Sequence, residues 1–237
     1  MRGRTKFYND QDPRYLPAYT LPEGAHYLLV PRATVRAWAV GRTYPTKAGS
    51  KRFCPVIEIP KGSRPLLSFI NLTEIHVLDA IRRDHSVPLD KIRDAVHYLR
   101  DEFGTQHPLA EERFATDGLD LFVNKYGQLI NASRVGQLAM KSVLEKYLRR
   151  VERDSRGVAV RLFPYTRKRS ADEPKAVVID PLVSFGRPVL VGTGIPTSVI
   201  AERYKAGESI EQLCADYDRK RLEIEEAIRC ELELEAA

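Results

Sequence analysis

The sequence predicts a mostly helical α+β protein built from two parts. Apolar residues recur three and four positions apart through most of its 237 residues, a spacing typical of amphipathic helices. Short runs of β-branched residues bounded by Gly and Pro predict a few strands. From residue 164 to 175 the periodicity stops and charged residues cluster, which predicts a connection between a larger N-terminal part and a smaller C-terminal part.

Two short helices are predicted at the start of the folded chain. The first has Thr20 as its N-cap and Pro22 in its first turn, and the second begins at Pro31 and ends at Gly41. The helical period places one side of the second helix in the core and the other in solvent. Its inward residues are Val35, Trp38 and Ala39, and its outward residues are Arg32, Thr34 and Arg36.

A basic loop follows the second helix and leads into a strand predicted over residues 53–59. Two helices followed by a loop and a strand are the order of a winged helix-turn-helix, here residues 19–62. An α-helix fits the major groove of DNA, and Arg side chains suit guanine edges and phosphates. The predicted DNA-contacting residues are Arg32, Thr34 and Arg36 on the helix and Arg42, Lys47, Lys51 and Arg52 in the wing.

Charge is distributed unevenly along the chain. The first 64 residues contain 12 Lys and Arg against four Asp and Glu, whereas the last 30 contain four against ten. Attraction to phosphate follows local charge, so a nucleic acid would be drawn to the N-terminal end and repelled from the C-terminal end. The last predicted helix is acidic, with Glu223, Glu225, Glu226 and Glu231, so we expect the C-terminal module to serve dimerisation or partner binding.

The middle region, 63–165, is predicted to consist mainly of helices. One helix begins at Asn71 or Thr73, another follows Ser86, and the longest runs through residues 135–151. The pattern of this region gives no functional signal of its own.

The remaining elements are short. A strand, a turn and a strand are predicted over residues 119–130, and a closing strand over 158–163. In the C-terminal module two short strands precede three helices, of which the second has a capping box formed by Ser209 and Gln212 and the third is capped by Asp218. The predicted divisions are an N-terminal domain at 1–165, a linker at 166–175 and a C-terminal module at 176–237.

The sequence gives little support for an enzyme. Asp79, Asp84 and His85 form one acidic cluster and His107, Glu111 and Glu112 another, but neither has a recognised metal-ligand spacing. The three cysteines, Cys54, Cys214 and Cys230, contain no C-x-x-C pair. We therefore expect no enzymatic activity, no cofactor and no bound metal.

Two segments resemble known families. The C-terminal strings I-D-P (179–181), G-R-P-V (186–189), V-G-T-G-I-P-T (191–197) and A-G-E-S-I-E-Q-L (206–213) resemble a small homeodomain-like module, a domain of unknown function common among bacterial antitoxins. The string V-P-R-A-T-V-R-A-W (30–38) is similar to a MerR-type winged helix-turn-helix. The combination resembles VapB-type antitoxins of type II toxin-antitoxin pairs.

This resemblance implies the partners of the protein. A VapB-type antitoxin binds and neutralises a PIN-like ribonuclease toxin, and it represses the shared operon by binding double-stranded operator DNA. A homodimer is expected, because two copies double the DNA contacts. The residues expected to contact a partner or a second copy are Ile195, Val199, Tyr204, Ile224 and Ile228.

The expected location is the cytoplasm, with no membrane contact. The basic N-terminus is not followed by an apolar signal core, and no apolar run approaches the roughly 18 residues that a membrane span needs. Two alternatives stay open: a stand-alone MerR-like transcriptional regulator that senses a small molecule in the middle region, and a metal-dependent nucleic-acid-processing enzyme that uses the cluster from Asp79 to His85.

Overall fold

The computed structural model describes residues 11–46, 49–83, 89–111, 113–115, 120, 122–124, 134–167 and 173–232. The longer helices in these ranges are α1 (Leu21–Tyr27), α2 (Arg32–Val40), α3 (Phe69–Arg83), α4 (Leu89–Phe103), α5 (Arg134–Leu148), α6 (Thr197–Lys205), α7 (Ile210–Tyr217) and α8 (Arg221–Leu232). Within the described residues no helix combines the length and the apolar character that a membrane span requires.

The strands form short antiparallel pairs. They are β1 (Tyr19–Thr20) with β4 (Leu66–Leu67), β2 (Arg42–Thr46) with β3 (Gly49–Phe53), β5 (Val151–Arg153) with β6 (Ala159–Leu162), and β7 (Val177–Val178) with β8 (Val189–Leu190). The predicted fold class, mostly helical α+β with a winged helix-turn-helix at the N-terminus, is confirmed.

Helix α1 begins where the sequence predicts. Thr20 is the N-cap, and its hydroxyl accepts a hydrogen bond from the Glu23 amide at 3.2 Å, while the Glu23 carboxylate accepts from the Thr20 amide at 2.7 Å. These reciprocal bonds form a capping box that satisfies two backbone donors at the helix start.

Helix α2 has the predicted orientation. Val35 and Trp38 have no exposed surface, whereas Arg32 and Arg36 lie in solvent. The helix ends at Gly41, whose φ of +81° is costly for any residue with a Cβ. The burial of Val35 and Trp38 therefore determines which side of α2 faces solvent.

The wing is a hairpin of β2 and β3, with Arg42 opposite Phe53 and Thr46 opposite Gly49. The strand predicted over residues 53–59 is wrong, because β3 ends at Phe53. Val56 and Ile57 instead donate their amides to the Trp38 carbonyl, at 2.8 and 3.2 Å, so these donors are not available to a neighbouring strand.

Helix α3 lies in the main core, which extends from Tyr19 to Ile179 and joins the helix-turn-helix to the middle region. The helix begins at Phe69, ahead of both predicted start residues. Ser68 and Asn71 make the reciprocal bonds of its first turn: the Ser68 amide donates to Asn71 Oδ1 at 3.0 Å and the Asn71 amide to Ser68 Oγ at 3.2 Å. Asn71 is therefore the partner of the cap rather than the cap.

Two further predictions for the middle region differ from the structure. Residues 122–124, placed in the predicted hairpin over 119–130, are helical, and Phe122 packs edge-on against Phe114 with ring centroids 5.8 Å apart. Most other positions of that hairpin, and Ser86, lie outside the described residues. Leu138, predicted on the apolar side of the longest helix, is 62% exposed.

The described ends of the predicted linker are packed against the fold. The buried Arg150 guanidinium donates to the carbonyls of Phe163, Pro164 and Glu173 at 2.8 to 3.0 Å. Burial lowers the pKa of this guanidinium. Thr166 also bonds the fully buried carboxylate of Glu226 in α8. The division of the chain into domains at this segment stays a prediction.

The C-terminal module packs α6, α7 and α8 around its own small core. The capping box of α7 is confirmed: Ser209 Oγ accepts from the Gln212 amide, and Gln212 Oε1 accepts from the Ser209 amide at 2.8 Å. Asp218 is not the cap of α8. It takes a left-handed conformation, with φ of +50°, and ends α7.

The module lies directly against the first helix of the helix-turn-helix. The Tyr19 hydroxyl donates to the Gly186 carbonyl at 2.9 Å, and Arg187 forms an ion pair with Glu23. His26 Nε2 lies 3.9 Å from the Glu231 carboxylate. These contacts join β1 and α1 to the C-terminal module.

A buried carboxylate and a partly buried imidazole link α3 to the turn after α4. The Glu74 carboxylate is fully buried and lies 3.0 Å from His107 Nδ1 and 3.2 Å from Asn71 Nδ2. Burial opposes protonation of His107, but the hydrogen bond and the negative charge of Glu74 outweigh it and raise the pKa of the imidazole above its ordinary 6.5.

We predict that stability falls as pH rises through this raised pKa. The folded state holds the His107 proton more tightly than the unfolded state, so the stabilisation is complete below about pH 6.5 and is lost at higher pH. Urea unfolding between pH 6 and 9 measures it. His107→Gln should flatten the dependence, whereas His97→Gln, at an exposed position, should not. Identical pH profiles for all three proteins would contradict the assignment.

A second prediction concerns Gly41. A Cβ at this position would lie 2.4 Å from the Phe53 carbonyl oxygen, in addition to the strain of a positive φ. Gly41→Ala should lower the free energy of unfolding by at least about 2 kcal/mol. Gly49→Ala, with positive φ but no atom within 4 Å, should cost only about 1 kcal/mol. Equal urea midpoints for the two variants would refute the close approach of helix end and wing.

Candidate nucleic-acid interface

The solvent face of α2 carries two arginines. Arg32 and Arg36 are exposed and Thr34 is half-buried, on the sides of the helix away from Trp38. Within the described part of the chain, neither guanidinium has a hydrogen-bond or ion-pair partner. Both charges are therefore available to a ligand.

A groove of about 540 Å³ separates α2 from the wing. Its lining residues are basic, neutral polar or small apolar residues. The lining residues are Ala33, Arg36, Ala37, Val40, Gly41, Arg42, Thr43 and Arg52. Three arginines thus line one groove, and none of its lining residues is acidic. Such a surface favours phosphate.

The wing places its arginines on both strands. Arg42 lies in β2 and Arg52 in β3, where Arg52 is opposite Thr43, and both arginines are exposed. Lys47 lies outside the described residues, and of Lys51 only the backbone is described. Arg36, Arg42 and Arg52 are therefore brought together at the groove, and Arg32 is not among its lining residues.

The small residues of the groove were missed by the sequence prediction. Ala33, Ala37 and Val40 are four and three positions apart, so they form one stripe of α2 beside Arg36. Their short side chains keep the groove open. This spacing is the signal that could have found them.

The five predicted partner-contacting residues divide into two groups. Val199 and Tyr204 are 40% and 38% exposed, and Ile195 is half-buried. Ile224 and Ile228 are 0% and 6% exposed, because they form the core of the C-terminal module, so a partner would have to displace that core to contact them. Only the first group offers an accessible surface.

The residues considered for catalysis serve structural contacts where they are described. Asp79 is buried, His107 pairs with Glu74, and Glu111 accepts a hydrogen bond from Thr105 at 2.5 Å. Asp84, His85 and Glu112 lie outside the described residues. Across the described ranges, no group of three or more His, Cys, Asp and Glu side chains could hold a metal ion.

Comparison with known proteins matches both ends of the chain. A family profile described as "Putative DNA-binding HTH domain" matches residues 17–96, which contain α1, α2 and the wing. A second, described as "Protein of unknown function (DUF433)", matches residues 177–229. The chain is thus a helix-turn-helix protein with a C-terminal DUF433 module.

The relatives identify the family. Over 221 residues the chain is 32% identical to "Putative antitoxin VapB45" of Mycobacterium tuberculosis (strain ATCC 25618 / H37Rv), covering 85% of this chain and 88% of the relative. The protein belongs to this family of VapB-type antitoxins. It is also 27% identical to "Uncharacterized protein Rv2308" of the same organism, covering 89% of this chain and 88% of that protein.

A solved structure has the same fold. The crystal structure of Rv2018 from Mycobacterium tuberculosis superimposes with a TM-score of 0.65 and 24% sequence identity. The match covers 90% of this chain and 98% of that chain, so the fold is shared along nearly the whole length.

Proposed function

We propose that this protein is the antitoxin of a type II pair, which binds operator DNA with its winged helix-turn-helix and neutralises a PIN-like ribonuclease toxin with its C-terminal module. By holding the complex on the promoter it represses its own operon. The observation that carries the DNA-binding part is the groove between α2 and the wing, lined by Arg36, Arg42 and Arg52. Family membership supports the antitoxin part.

The geometry suits the major groove of B-DNA. Helix α2 presents Arg32 and Arg36 on its exposed side, and a guanidinium can donate two hydrogen bonds to one guanine edge. The wing arginines then lie beside the helix, where the phosphates of the same strand pass. Arg36 and Arg32 supply base recognition and the wing supplies affinity.

The C-terminal module suits a protein partner better than DNA. Apart from Arg187, which pairs with Glu23 of α1, its arginines are engaged by its own carboxylates, as in the ion pairs of Arg221 with Glu225 at 2.7 Å and Arg203 with Asp216 at 2.5 Å. Few positive charges thus remain for phosphate. Val199 and Tyr204 offer apolar surface for the toxin or for a second copy of the chain in a homodimer.

The DNA-binding mode predicts a specific salt dependence. Each phosphate contact contributes about 0.9 to the slope of log K against log salt, so Arg42→Ala combined with Arg52→Ala should lower that slope by about 2. Fluorescence anisotropy with a duplex from upstream of the coding sequence measures it. Arg36→Ala should instead reduce discrimination between duplexes. Arg156→Ala, at an exposed position paired with Asp154, removes one positive charge away from the groove and is the control for Arg36→Ala.

The assignment of α2 as the recognition helix is tested by removing both of its exposed arginines. If Arg32→Ala combined with Arg36→Ala left selective duplex binding unchanged, α2 would not be the recognition helix.

The antitoxin role predicts a stoichiometric protein partner. A tagged copy recovered from nuclease-treated native extract should retain a small PIN-like ribonuclease, identified by mass. Val199→Glu combined with Tyr204→Glu should release it, because burying a carboxylate in an apolar contact is costly. Leu138→Glu, on the exposed side of α5, is the control and should not. Recovery of the protein alone as a dimer would favour a stand-alone regulator.

A further inference from the structure

The segment that leaves the wing has no regular structure, yet its backbone is fixed on two sides. On one side the carbonyl of Trp38, near the end of α2, accepts the amides of Val56 and Ile57. These two side chains are 1% and 2% exposed, so the segment is anchored in the core as well. Because β3 ends at Phe53, the position of the wing depends on this anchor.

The middle region fixes the other side. Arg100 in α4 donates from Nη2 to the Val56 carbonyl at 3.0 Å and from Nε to the Gln106 carbonyl at 3.1 Å. Asn71 in α3 donates to the Glu58 carbonyl at 2.8 Å. The Arg93 guanidinium lies over the Phe53 ring, 5.5 Å from its centre. The segment is thus held between α2 and two helices of the middle region.

Arg100 bonds both the segment after the wing and the segment after α4. One planar guanidinium bonds two backbone carbonyls from segments 50 residues apart, Val56 after the wing and Gln106 after α4. Val56 is the same residue whose amide bonds the recognition helix through Trp38. A hydrogen-bonded chain therefore runs from α4 through Val56 to α2. A Lys side chain carries the same charge but lacks the rigid fork of donors.

We propose that Arg100 is a positioning residue for DNA binding, which sets the angle between α2 and the wing and so the width of the groove. This inference rests on the proposed DNA-binding function. It gives the middle region a role: α4 holds the wing in place without touching DNA. Arg42 and Arg52 can contact phosphates while Arg36 contacts a base edge only if that angle is kept.

A mutant cycle on duplex binding tests the proposal. Arg100→Ala should lower the slope of log K against log salt by about 2, as much as Arg42→Ala combined with Arg52→Ala. The increase in affinity between 200 and 50 mM salt would then be roughly tenfold smaller than in the unmodified protein. Adding Arg100→Ala to the wing variants should cause no further loss, since both act through the same contacts. The salt slope of Arg100→Lys should lie between those of Arg100→Ala and the unmodified protein. Arg149→Ala removes the same charge from an exposed position and is the control.

Amide hydrogen exchange tests the same proposal without DNA. Arg100→Ala should speed exchange in residues 42–59 and leave α6 to α8 unchanged. Faster amide exchange throughout the protein, or unchanged exchange in the wing, would overturn the proposal. Fully additive losses of affinity in the mutant cycle would also overturn it. If the unmodified protein showed no salt-dependent duplex binding, the proposed function would fail, while the exchange experiment would still decide whether Arg100 holds the wing.

Discussion

The burial of Trp38 is the constraint on which the DNA-binding face depends. Its side chain has no exposed surface in the main core, which fixes the rotation of α2, and its carbonyl accepts the two amides of Val56 and Ile57. One residue therefore determines which side of the helix is outward and where the wing leaves the core. The 3.6-residue period then places Arg32 and Arg36 in solvent. The burial of the apolar Trp38 therefore places Arg36 at the groove.

Contacts that are distant in sequence complete this arrangement. Gly41 allows β2 to start directly after α2, because its positive φ and missing Cβ let the Phe53 carbonyl approach. On the far side, β1 and α1 contact the C-terminal module through the hydrogen bond from Tyr19 to Gly186 and the ion pair of Glu23 with Arg187. A partner bound to the module would therefore lie on a body that contacts the helix-turn-helix directly.

Much of this architecture could be predicted from sequence, and the failures have identifiable physical causes. Caps and helical periodicity are local, so Thr20, the face of α2 and the capping box at Ser209 were predicted correctly. The strand prediction over 53–59 was wrong. The composition of this segment is typical of a strand, but the amides of Val56 and Ile57 bond the carbonyl of Trp38 in α2. Packing at the predicted linker depends on the buried Arg150, whose partners are carbonyls 13 to 24 residues away, and no local pattern reveals them. Nor does periodicity distinguish a module's own core, such as Ile224, from a surface for a partner.

Mapping of amide chemical shifts would show whether the groove between α2 and the wing contacts DNA. The spectra of the labelled full chain would be compared with and without a duplex taken from upstream of its coding sequence. The largest changes should fall on residues 32–43 and 50–53, with the C-terminal module nearly unchanged. Changes concentrated on α7 and α8, with α2 and the wing unaffected, would contradict it.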